Sequence, residues 1–249
     1  MNTNETLQQL QQLKLQGMYN AYSRQLELPV HQQLDAHELV GHLVQAESLF
    51  KTNERTAYYL RLAKLRLPAV VEQVECGITR NFTKQQLATF LEGNYLRQGQ
   101  NILITGSTGC GKSYLACALG NQACLEGSRT TYLNMNRLIE KITISKLDGT
   151  YIKYLNYLER QTLIILDDFG LQPLNQDVKL ALLQILEDRY AKRAIIVTSQ
   201  LPVSKWYEYI NEPTLADAIM DRMTANAHRV ELKGESRRNK KNNTAETPA

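Results

Sequence analysis

The stretch GSTGCGKS (Gly106 to Ser113) matches G-x-x-x-x-G-K-[ST] over its whole length. It sits between an apolar run of strand character, NILIT (101–105), and a helical pattern, KSYLACALGNQACLEG, and that context turns a pattern into a mechanism. Gly106, Gly109 and Gly111 let the backbone fold tightly enough to turn its N–H groups onto phosphate oxygens. Ser107, Thr108 and Cys110 complete the loop, and the helix N-terminus from Lys112 through Tyr114 adds its positive end. Lys112 supplies a point charge to the β and γ phosphates, and Ser113 offers a hydroxyl to Mg²⁺. ATP and Mg²⁺ are the ligands this chemistry requires.

A second stretch, TLIILDDFG (162–170), runs five β-favouring residues straight into two carboxylates. Adjacent carboxylates need a cation opposite them. Asp167 fits a residue holding Mg²⁺ through water, and Asp168 is placed to orient or deprotonate the attacking water, which points to hydrolysis rather than binding alone. In the plainer reading one of the two caps a turn. Ser199 and Gln200 end a further run, AIIVTSQ, where Gln200 would touch the γ-phosphate or that water, unless the two form an ordinary strand-end polar pair. Arg222, far along the chain in ADAIMDRM, has the character of an arginine finger reaching a neighbouring subunit's nucleotide. Its alternative is a surface ion pair with Asp217 or Asp221.

Three other motifs lead nowhere. DFG (168–170) also occurs in protein kinases, but the chain has no HRD catalytic loop, no APE, and a glycine loop of a different form. His37 and His42 in HELVGH lie five residues apart, about 140° around a helix, and cannot share a metal. Cys76, Cys110, Cys117 and Cys124 form no CxxC pair, which predicts reduced, partly buried thiols and a cytoplasmic protein.

These residues must be positioned by elements of two textures. Up to residue 98 the pattern is helical: an amphipathic helix over 5–28 ended by Pro29, a second from Leu34 to Leu67 closed by Pro68, and a short one at 82–93 with Thr83 as N-cap and Gly93 as terminator. After Gly99, short apolar runs (101–105, 130–134, 162–168, 194–200, 228–233) alternate with helical segments, which predicts an α/β core with a mostly parallel sheet covered on both faces. The chain accordingly divides into a helical N-terminal domain (1–67), a helical connector (68–98), a nucleotide-binding core (99–233) and a basic tail (234–249).

Composition is that of a soluble globular protein, 43% hydrophobic and 22% charged, with no apolar stretch long enough to span a membrane and no signal peptide. The net charge of +4 is unevenly spread, with the excess in residues 51–98 and the tail. That asymmetry fits a polyanionic partner as well as it fits a solvated helix face. Lys51, Arg55, Arg61, Lys64 and Arg66, against the single acid Glu54, are candidates for sequence-independent contacts to DNA phosphates.

Taken together, GSTGCGKSYLACALG, LIILDDFG, TSQLPVSKWYE and LADAIMDRM…HRVELKGESRR resemble the IstB-like transposition helper ATPases, AAA+ proteins related to the DnaC helicase loader. The resemblance covers nearly the whole chain. It implies an AAA+ P-loop core with a five-stranded parallel sheet in the order 5-1-4-3-2. It also implies an ATPase that self-assembles as a homo-oligomer on double-stranded DNA and assists a partner transposase of an insertion sequence. It carries Gln200 to the sensor position, where many AAA+ proteins have Asn, and Arg222 to the arginine-finger position. It further suggests DNA contacts at Lys146, Tyr151 and Lys153, and a nucleotide or DNA contact at Arg238. A helicase loader is the alternative on the same fold. Outside it stand a small-molecule kinase, which lacks the expected arginine-rich lid here, and a DNA-bending module using ATP only as an assembly switch.

Overall fold

The apolar runs become five parallel strands: β1 (Ile102–Gly106), β2 (Thr130–Asn134), β3 (Leu163–Phe169), β4 (Ala194–Ser199) and β5 (His228–Leu232), in the spatial order β2-β3-β4-β1-β5. This is the expected order read from its other edge. Alternate residues of each strand serve opposite faces. Leu103, Ile164, Leu166, Ile195 and Val197 join one core cluster, and Ile102, Ile104, Leu163, Ile165 and Ile196 join the other. Burial on both faces explains why these strands read as continuous apolar runs rather than alternating ones.

The computed structural model describes residues 2–236. The helices in chain order are α1 (Thr3–Gln12), α2 (Gln16–Glu27), α3 (Ala36–Ala63), α4 (Lys84–Leu91), α5 (Asn94–Arg97), α6 (Lys112–Leu125), α7 (Met135–Leu147), α8 (Tyr151–Glu159), α9 (Gln176–Arg189), α10 (Trp206–Ile210) and α11 (Pro213–Thr224). Among the described residues, no helix is long and apolar enough to cross a membrane. One face of the sheet packs against side chains of α7 to α11, among them Leu138, Leu158, Leu182, Trp206 and Ile219. The other packs against α6 and the preceding connector, with Phe82, Phe90, Tyr95, Leu115 and Leu119.

Two expected helices differ. The segment 5–28 is broken, because Lys14 takes a left-handed conformation (φ 58°) and the Leu15 N–H closes back on the Leu10 carbonyl at 2.9 Å, a helix-ending arrangement. The second helix stops at Ala63 rather than Leu67, because Lys64 is also left-handed (φ 49°). The connector is helical at α4, where Thr83 makes the expected capping box with Gln86, but much of the rest is turns.

The chain divides into two compact units after Tyr58, within α3. In the first, a Cβ on Gly17 would lie 2.5 Å from the Ala46 carbonyl oxygen, so only glycine lets α2 approach α3 this closely. Residues from Tyr59 belong with the core, since Ala63 and Ala69 are fully buried and Leu65 and Leu67 pack against core clusters. Packing, not the proline at 68, sets the division.

Candidate nucleotide-hydrolysing site

The GSTGCGKS loop leaves β1 at its C-terminal end and enters α6. Gly106 has φ 147°, and a Cβ there would sit 2.2 Å from the Leu232 carbonyl oxygen of the neighbouring β5, so the turn demands glycine. The Lys112 ammonium is buried and donates to the Gly106 and Ser107 carbonyls, both at 2.9 Å. Cys110 is buried within the loop and the Tyr114 hydroxyl donates to Gln73 at 2.9 Å. Thr108 Oγ1 donates to Gln200 Oε1 at 2.8 Å, so Gln200 stands over the loop. Ser199 does not: its buried hydroxyl bonds the Phe169 carbonyl at 2.6 Å and serves the backbone.

The two aspartates lie across from the loop. Ser113 Oγ donates to Asp167 Oδ1 at 2.8 Å. Asp167 is fully buried, and Thr198 and Tyr132 donate to its two oxygens. Burial and the bond to Asp167 push the Tyr132 phenol well above its ordinary range, so it stays a donor. Asp168 accepts from Asn134 Nδ2 at 2.8 Å, and its N–H donates to Thr198 Oγ1 at 3.2 Å.

A β-bulge brings both carboxylates to one place. Leu166 pairs with Val197 and Phe169 with Ser199, so three steps on β3 oppose two on β4, and Asp168 takes φ 64°. Successive side chains of a regular strand point to opposite faces. Here Arg66 Nη1 reaches Asp168 Oδ2 at 3.3 Å and Asp167 Oδ2 at 3.4 Å.

Arg66 is therefore placed apart from the other basic residues of its segment. Lys51, Arg55 and Arg61 lie exposed on α3, with Lys51 paired to Glu47 at 3.3 Å, and Lys64 is exposed at the helix end. Lys146 pairs with Asp177 at 2.6 Å and stands 5.2 Å over the Tyr151 ring, while Lys153 is exposed on α8. Arg222 is not brought to the loop of its own chain. It pairs with Glu187, not Asp217 or Asp221, and donates to the Ala218 carbonyl at 2.9 Å. Arg238 lies outside the described residues.

The site includes residues not singled out from the sequence: Tyr132, Asn134, Thr198 and Arg80. Asn134 and Thr198 are polar residues near strand ends and Tyr132 lies in the middle of β2, a grouping visible once their strands are aligned. Arg80 sits in a turn of the connector with no motif to mark it. Beside the loop is a cavity of about 610 Å³ lined by Arg66, Arg80, Lys112, Ser113, Asp168 and Gln200, among others. A hydroxyl and carboxylates facing a phosphate-binding loop form an oxygen donor set suited to Mg²⁺. No cluster of three or more His, Cys, Asp or Glu side chains suited to a metal exists among the described residues. A cation bound here would take its remaining ligands from phosphate oxygens and water. The four cysteines are free, and burial raises the Cys117 thiol, as befits an inert residue.

The sequence matches the family described as IstB-like ATP binding protein over residues 8–245. It is 41% identical over 242 residues to the insertion sequence ATP-binding protein y4pL of Sinorhizobium fredii, covering 97% of this chain and 99% of that one. It is 27% identical to the insertion sequence IS21 ATP-binding protein of Pseudomonas aeruginosa, over 95% of this chain and 89% of the relative. Among solved structures it resembles the DnaC helicase loader (TM-score 0.58, 20% identity, 69% of this chain and all of that chain). It also resembles the replication initiator DnaA bound to AMPPCP and single-stranded DNA (TM-score 0.57, 21% identity, 69% and 52%). At these identities the likeness establishes the fold.

Proposed function

The chain belongs to the family of IstB-like ATP-binding proteins associated with insertion sequences and is an AAA+ ATPase, and from that premise we propose that it assembles on duplex DNA with ATP and assists a partner transposase. The observation that carries the hydrolytic part is the Ser113–Asp167 contact at 2.8 Å, with Asp168 turned to the same side by the bulge. Lys112 exchanges the Gly106 and Ser107 carbonyls for phosphate oxygens. Ser113 and Asp167 would hold Mg²⁺, which would supply charge neutralisation to the phosphates. Asp168 orients the attacking water, and Gln200, held by Thr108, stands where it can touch the same water. Arg222 completes a neighbour's pocket, and Lys51, Arg55, Arg61 and Lys64 contact the DNA backbone. These assignments rest on placement and on the insertion-sequence context of the relatives.

The test is to size the protein with and without duplex DNA in ATP, ADP and no nucleotide. A large species dependent on both ATP and DNA supports the reading, and a monomer under every condition overturns it. A helicase loader is the second reading, favoured by the full coverage of the DnaC loader by this fold. Specific capture of a replicative helicase, and of no transposase encoded beside this gene, would establish it instead.

A further inference from the structure

Arg80 precedes β1 in the segment packed against the sheet, well before the GSTGCGKS motif in sequence, yet its guanidinium lies on the phosphate loop. Nη2 donates to the Cys110 carbonyl. A Cβ on Gly111 would lie 3.0 Å from Nη2, and one on Gly234 would lie 3.0 Å from Nη1. The side chain is thus wedged between the start of α6 and the turn after β5. The Arg80 carbonyl accepts from the Lys233 N–H at 3.0 Å, which fixes the backbone from the same side. Arg80 lines the cavity shared by Lys112, Ser113 and Gln200. Its Nε is buried without a hydrogen-bond partner.

A guanidinium carries five donors and stays charged. Here it has been drawn partly out of water against a neutral carbonyl, with one buried donor unmet, an arrangement that costs free energy until an anion arrives. We propose that Arg80 is a nucleotide-binding residue that contacts the phosphate chain of ATP and ADP. It would be a second cation, supplied by the segment that precedes β1 rather than by the phosphate loop itself.

This proposal rests on the ATP-binding reading of the site, and wild type and Lys112→Ala serve to separate the two. Wild-type binding that Lys112→Ala abolishes establishes the phosphate site. Within that frame, Arg80→Gln should raise Kd for both ATP and ADP about tenfold, the scale of one lost charge-assisted contact. Arg80→Lys, which keeps the charge, should lose much less. Wild-type affinity in Arg80→Gln overturns the proposal, and so does an Arg80→Lys variant as weak as Arg80→Gln, since shape and not charge would then matter. A measurement on the unaltered protein guards against a folding defect. Labelling by an arginine-selective dicarbonyl, mapped by mass spectrometry, should fall at Arg80 when ATP is added, and unchanged labelling there would equally overturn it.

Discussion

Asp167 shows how a buried charge is made tolerable. Its two oxygens receive four donors: Ser113 and Thr198 on one, Tyr132 and Arg66 on the other. Three are neutral, so the only formal positive charge is Arg66, whose side chain is 45% exposed. Arg66→Ala should therefore lower stability without nucleotide, by about 1 kcal/mol because the pair is partly solvated, or about 2–4 °C in melting temperature. If Mg²⁺ with ATP binds at these carboxylates, it brings another cation to them, and the gap to wild type should narrow. Equal melting of variant and wild type without ligand would show that the pairing contributes nothing. The sequence hides this role: the partners are a hundred residues apart, and Arg66 looks like one more basic residue of a helix that in fact ends at Ala63.

At the scale of elements, the strands were legible because burial on both faces leaves uninterrupted apolar runs, and the loop was legible because its glycines and lysine are fixed by phosphate chemistry. The bulge in β3 was not, since nothing in LIILDDF marks an extra residue until its partner strand is known. The helix stops at Lys14 and Lys64 were equally hidden, because lysine gives no sign of a left-handed conformation. Arg189 belongs to this hidden class. It is the last residue of α9, a charged side chain with no motif around it, yet it is 1% exposed. Its guanidinium donates to the carbonyls of Leu158 (2.9 Å), Gln161 (2.6 Å), Thr162 (3.2 Å) and Ala194 (2.8 Å). One side chain thereby ties the end of α8 to the starts of β3 and β4. Arg189→Met would leave four carbonyls short of a donor, and a loss of about 3 kcal/mol or more is expected in chemical denaturation. A loss below about 1 kcal/mol would mean that water replaces the guanidinium at these carbonyls.

At the scale of the whole molecule, one chain supplies Lys112, Ser113, Asp168 and Gln200 to the pocket, with Asp167 bonded behind Ser113, but holds Arg222 elsewhere, against Glu187. Motif spacing marks the first set and, with the family resemblance, singles out Arg222, but it does not say whether they meet within a chain. If Arg222 acts on a neighbour's nucleotide through a head-to-tail contact, each active site is built from two chains. Arg222→Ala should then bind ATP almost normally and hydrolyse it poorly, because the arginine acts on charge that develops in the transition state. Asp168→Asn should be equally poor, since its water is no longer oriented. Mixing the two inactive variants should restore some ATPase. The Arg222→Ala chain offers an intact pocket and the Asp168→Asn chain an intact arginine, and random mixing at equal ratio gives that pairing at about one interface in four. Pull-down of one tagged variant on DNA establishes that the chains co-assemble. Co-assembly without recovered activity would place Arg222 within its own chain, where its contact with Glu187 would be its whole role.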